Sequence, residues 1–198
     1  SPSSLAETLL ENPLWRVQLD PATLGVRVTP ANSATVQAST GVAAHRVSNL
    51  VQRDNRVDWQ WDDGAWSLSV DLDQRDLSFS ITARVPSELE FLRQPGDAMG
   101  KGLIWPLAEG HYVPRGDPVW QAFLVNQGTL NTTQDMSLPI WGVEHAGFSL
   151  SWLLTNPYNN QLLFSAEGDA LALSVRHQFT SLKPSTALTF SLFLGDAE

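Results

Sequence analysis

The sequence predicts an all-β fold: a large antiparallel β-sandwich with at most a short N-terminal helix. Three observations carry this. Apolar and polar residues alternate with period two in one run after another, as in strands with one buried and one wet face. Turn-forming Asp, Asn, Gly and Pro separate the runs. The one segment with helical character is short: Ser3–Glu11, with a serine cap, Ala, Leu and Glu, and Pro13 just beyond it.

Taken in order, Trp15, Val17 and Leu19 alternate, Asp20-Pro21 turns the chain, and Leu24, Val26 and Val28 alternate again. Pro30 ends that strand. Residues Thr35–Leu50 hold one or two weaker strands. A three-strand meander is the clearest signal. Val57, Trp59 and Trp61 share one face of Arg56–Trp61, and Asp62-Asp63-Gly64 carries the Asp-Gly hairpin signature. Trp66, Leu68, Val70 and Leu72 follow, then a turn at Asp73–Asp76, then Leu77, Phe79, Ile81, Ala83 and Val85. Further strands are expected at Gln121–Val125, Ser137–Trp141, Gly147–Leu154, Gln161–Ser165, Ala170–Gln178 and Ala187–Leu194. More than ten short strands with turns between them indicate a large sandwich. The expected core is Trp15, Val17, Val57, Trp59, Val70, Phe79, Ile81, Phe148, Trp152, Leu171, Leu173, Phe190 and Leu192.

At 198 residues, one sandwich domain, 1–198, is the expectation. The hydrophobic share is 42% and the charged share 17%, low for a globular surface, which fits a face covered by another domain or a ligand. A net charge of −9 weighs against nucleic acid and anionic membrane as partners. Of 12 basic residues, only Lys101 and Lys183 are lysines, and no basic cluster exists. No apolar run approaches the length of a membrane span. The absence of cysteine excludes disulfides and thiol catalysis. It leaves the compartment open, with a periplasmic or extracellular location the expectation carried forward.

One stretch breaks the strand pattern. Leu103–Trp120 reads LIWPLAEGHYVPRGDPVW and crowds Trp105, Glu109, His111, Tyr112, Arg115, Asp117 and Trp120 into a segment without strand periodicity. Long aperiodic loops in compact domains are commonly functional or disordered, and this one is rich in aromatics, which disordered segments lack. A binding reading makes Trp105, Tyr112 and Trp120 flat apolar platforms, with Glu109, His111, Arg115 and Asp117 as hydrogen-bonding groups. Sugars suit such a surface: their C–H faces pack on aromatic rings and their hydroxyls need directional partners. A purely structural reading makes the aromatics an edge plug and pairs the charges with one another. Glu109 and Asp117 invite a glycosidase reading, since two carboxylates flank the scissile bond in most such enzymes, but sequence spacing says nothing of their separation in space. The four histidines share no metal-type spacing, and neither a Walker A loop, a dinucleotide fingerprint nor a G-x-S-x-G elbow is present. No metal and no cofactor are expected.

Trp15-Arg16-Val17-Gln18-Leu19-Asp20 with Thr23-Leu24, the meander, and Ile104-Trp105-Pro106-Leu107-Ala108-Glu109-Gly110 followed by Tyr112-Val113-Pro114 resemble the N-terminal β-sandwich of certain bacterial glycoside hydrolases. These supersandwich modules, related in shape to galactose mutarotase, precede a (β/α)8 catalytic barrel. Endo-α-N-acetylgalactosaminidase-like enzymes are an example. Their acid/base pair lies on the barrel. The resemblance therefore implies a non-catalytic accessory domain of a carbohydrate-active enzyme, with carbohydrate or a C-terminal catalytic domain of the same polypeptide as partner. It also implies that the chain continues past Glu198. The alternatives are a mutarotase-like epimerase using Glu109 and His111 as base and acid, or a free-standing carbohydrate-binding protein.

Overall fold

A computed structural model of the protein describes residues 7–107, 110–182 and 186–196. Among these residues it holds 17 strands and one α-helix. Four strands, β1 (Thr8–Glu11), β2 (Trp15–Leu19), β3 (Val26–Pro30) and β4 (Val36–Ser39), form a small sheet in sequence order. The chain then enters a larger sheet through β5 (Val47–Arg53), β6 (Arg56–Trp61), β7 (Trp66–Asp73) and β8 (Asp76–Ala83), and crosses to a third sheet with β9 (Ser87–Gln94). It returns with β10 (Gly102–Trp105) and β11 (His111–Pro114), and passes through α1 (Pro118–Asn126) and β12 (Thr129–Asn131). Then come β13 (Ile140–Glu144), β14 (Phe148–Leu153), β15 (Asn160–Glu167), β16 (Ala170–Phe179) and β17 (Ala187–Asp196). The large sheet runs β11-β10-β13-β14-β17-β8-β7-β6-β5, the third sheet β12-β15-β16-β9, and every pairing is antiparallel.

The two small sheets face the large one. They meet at the edges of β4 and β9, where the amide of Thr40 donates to the Arg93 carbonyl at 2.7 Å and the amide of Arg93 to Ser39 Oγ at 3.0 Å. Rings from both layers interlock. Phe79 and Phe190 of the large sheet stack at 4.5 Å, and Phe91 of β9 tilts against both at 5.8 and 5.2 Å. The first sheet is pinned by indole hydrogen bonds: Trp15 Nε1 donates to the Gln74 carbonyl at 2.8 Å and Trp61 Nε1 to the Pro21 carbonyl at 2.7 Å. All thirteen expected core residues are buried.

The meander lies as expected, in register Trp61↔Trp66 and Val70↔Phe79, except that its third strand ends at Ala83 and Val85 beyond it is exposed. Four further expectations need correction. The part of Ser3–Glu11 that is described, Thr8–Glu11, is a strand, paired Thr8↔Leu19 to Glu11↔Arg16 with Thr8 and Leu10 buried; residues 1–6 lie outside the described residues. Residues Gln121–Val125 are helical, inside α1. The strand expected at Ser137–Trp141 is shifted to Ile140–Glu144, after Pro139. In Leu103–Trp120, the described residues place paired strands β10 and β11 and the capped start of α1 where an aperiodic loop was expected, residues 108 and 109 lying outside the described residues.

Candidate functional site

The β10–β11 hairpin forms one edge of the large sheet, with Leu103 opposite Val113 and Trp105 opposite His111. Strand alternation sorts its side chains. Leu103, Trp105 and Val113 point inward and are buried, while Ile104 and Tyr112 face outward. Trp105 is 3% exposed. Its ring meets Phe164 of β15 edge-on at 4.8 Å and lies 6.4 Å from Trp141, so it fills the space between the layers. It offers no face to a ligand, which corrects its reading as a platform.

Two of the polar candidates are engaged in structure. Asp117 caps α1: Oδ1 accepts the amides of Val119 at 2.9 Å and Trp120 at 3.1 Å, and Pro118 takes the first helical position, where no amide is needed. Arg115 reaches Asp169 in the β15–β16 turn, its Nη2 donating to Oδ1 at 2.9 Å and its Nε to Oδ2 at 3.2 Å. The hydrogen bonds from the guanidinium hold the Asp169 carboxyl below its ordinary range. The amide of Gly116 donates to the Asp169 carbonyl at 2.9 Å, which fastens the start of α1 to the opposite sheet. Glu109 lies outside the described residues, so the Glu109–Asp117 separation is not defined.

His111, Tyr112 and Trp120 remain at the surface, and the structure divides them between two faces. His111 is half-buried on the inward side of β11, its ring 5.1 Å from Trp120, which meets Phe123 edge-on at 5.5 Å. The helix beside them carries no charge, and only Leu124 is buried in it. Val119 is 75% and Phe123 41% exposed.

Tyr112, 46% exposed, stands on the outer face. Its ring leans across Gly102 of β10, where an added Cβ would sit 2.6 Å from Cζ and from the phenol oxygen. The hydroxyl then donates to Glu144 Oε2 on β13 at 2.8 Å. Lys101 Nζ lies 3.3 Å from the other oxygen of that carboxylate. The hydrogen bond from Tyr112 and then that from Lys101 lower the Glu144 pKa; burial first, and then the carboxylate, raise that of Tyr112. Sequence reasoning missed Glu144 and Lys101. They join Tyr112 only because β13 pairs with β10 in the register Gly102↔Glu144.

The other histidines sit elsewhere. His45 Nδ1 pairs with Asp62 Oδ2 at 2.7 Å, and its ring stacks on Trp61 at 4.1 Å. His177 is buried, with Nδ1 2.7 Å from Asn160 Oδ1. His145 is buried against Phe148 at 4.7 Å, its Nε2 has no hydrogen-bond partner among the described residues, and burial lowers its pKa. Among the described residues no group of three or more His, Asp or Glu side chains is placed to hold a metal ion, and no helix is long and apolar enough to cross a membrane.

No family model and no curated protein sequence matches the chain. Solved structures do. The GalNAc complex of alpha-N-acetylgalactosaminidase NagBb from Bifidobacterium bifidum aligns over 96% of this chain with a TM-score of 0.69 at 12% identity. Its ligand-free form gives 97%, 0.69 and 10%. The chain spans 36% of NagBb. The protein HI1317 aligns over 95% of this chain and 91% of its own length, with a TM-score of 0.53 at 9% identity. At such identities the likeness is one of fold, and the fold of this chain is the galactose mutarotase-like β-sandwich.

Proposed function

We propose that this chain is a non-catalytic accessory β-sandwich of a carbohydrate-active enzyme, a glycoside hydrolase, and that it packs against the catalytic domain through α1 and the adjoining hairpin. The observation that carries the reading is α1 itself. It is nine residues long, without a charge, with a single buried residue. One side of it is already seated, with Trp120 and Val125 packed on the core and Gln121 donating to the Gly168 and Ala170 carbonyls, while Val119 and Phe123 present an apolar side to solvent that belongs under cover. Val119 and Phe123 form the exposed apolar centre, backed by half-buried Trp120 with His111 beside it, and Arg115 with Asp169 supplies a polar rim. That distribution matches an interface more closely than a free surface.

The likeness to NagBb supports the same reading. There, the counterpart of this chain is about a third of a longer alpha-N-acetylgalactosaminidase. The engagement of Asp117 as a helix cap also weakens the case for a carboxylate pair on this domain. The test is the native coding region. It should run on into a catalytic glycosidase region. A coding region bounded by this domain at both ends would overturn the proposal and leave a free-standing protein.

A further inference from the structure

We propose that Tyr112, Glu144 and Lys101 form a subsite for a neutral pyranose ring on the outer face of the large sheet. The inference goes beyond the packing of α1, and either can fail without the other. Tyr112 is held by its hydroxyl on Glu144 and by the close approach of its phenol end to Gly102, and it stays 46% exposed on the outer face. A side chain at position 102 would push the ring away, since its Cβ would sit 2.6 Å from the phenol. Ile104, 49% exposed and directly opposite Tyr112, extends the apolar surface along β10. Gly142 opposite Ile104 keeps the neighbouring strand low.

The charges select the ligand class. An anion would meet Glu144, and a cation would meet Lys101. The two groups neutralise each other and leave hydrogen-bonding capacity unused. A carboxylate has about four acceptor sites, and the tyrosine and lysine occupy two; an ammonium has three protons. A fixed aromatic face with a carboxylate and an ammonium at one end suits a ring with an apolar C–H face and vicinal hydroxyls. The hydroxyls would donate to Glu144 and accept from Lys101. No covalent step is implied.

The test is saturation-transfer difference NMR on this chain with methyl α-D-galactopyranoside, N-acetylgalactosamine and methyl α-D-glucopyranoside. At least one should receive saturation on its ring C–H protons, with a dissociation constant on the order of millimolar, as befits a small site open to solvent. Tyr112→Ala should weaken binding by at least about tenfold. Tyr112→Phe keeps the ring, serves as the folding-neutral control, and should retain part of the affinity. Phe123→Asp, on the α1 surface, should leave it unchanged. No transfer to any of the three sugars, or equal transfer in wild type and Tyr112→Ala, overturns the proposal. Loss in Phe123→Asp with retention in Tyr112→Ala would move the sugar to α1 and overturn it as well.

Discussion

The carboxylate of Asp117 accepts the amide of Trp120 at 3.1 Å, and that bond makes an acid in an apparently catalytic stretch into a helix cap. Its removal has a defined cost. Asp117→Ala should destabilise the fold by about 1 kcal/mol, whereas Asp117→Asn, which still caps, should lose less. Urea denaturation monitored by tryptophan fluorescence reads both. An Asp117→Ala midpoint equal to that of wild type would show that the cap contributes nothing to stability.

Phe79 occupies the centre of the sandwich, stacked on Phe190 and touching Phe91 across the layers. Phe79→Ala should cost roughly 3–5 kcal/mol, the range for truncating a buried aromatic. A midpoint equal to that of wild type would contradict the layer assignment.

His145 gives the molecule a pH dependence of known sign. Burial depresses its folded-state pKa, so below the ordinary imidazole value of about 6.5 the unfolded chain binds the extra proton. Stability from this ring is fully present above that value and is lost as pH falls towards the folded pKa. Denaturation midpoints should therefore drop between pH 7.5 and 5.5, and His145→Phe should flatten that slope. The carboxylates held low by partners (Asp58 by Arg56, Asp62 by His45, Glu144 by Tyr112, Asp169 by Arg115) lose their contributions only in the more acidic carboxylate range.

Phe123 is exposed, so Phe123→Asp should change stability by no more than about 0.5 kcal/mol. It should lower the binding of a hydrophobic dye to the isolated chain. Strong destabilisation would mean that the ring supports the fold and is not awaiting a partner.

The meander was legible because its pattern is local: alternation and an Asp-Gly turn fix three strands without reference to anything distant. α1 was misread because Gln-Ala-Phe-Leu-Val is a short apolar run that fits strand or helix equally. The signal that separates them was present in Asp117-Pro118, an N-cap followed by proline at the first helical position. β9 was not anticipated, since inward-facing Phe91 and the adjacent buried Leu92 interrupt its alternation. The site was less legible than the fold for the same physical reason. Trp105 is buried by Phe164, 59 positions later in the chain, and Tyr112 finds Glu144 through the pairing of β10 with β13. Neither contact leaves a trace in local spacing. Of the candidate residues that are described, His111, Tyr112 and Trp120 stay at the surface without a capping or ion-pairing task, and they lie on two different faces.

The central proposal, that α1 is covered by a partner domain, is tested most directly by hydroxyl-radical footprinting. Exposed Val119 and Phe123 are labelled in the isolated chain and again in the polypeptide expressed from its full native coding region. The account predicts heavy labelling in the isolated chain, falling in the longer polypeptide to near the level of buried Leu124. Equal labelling of the two residues in both would contradict it.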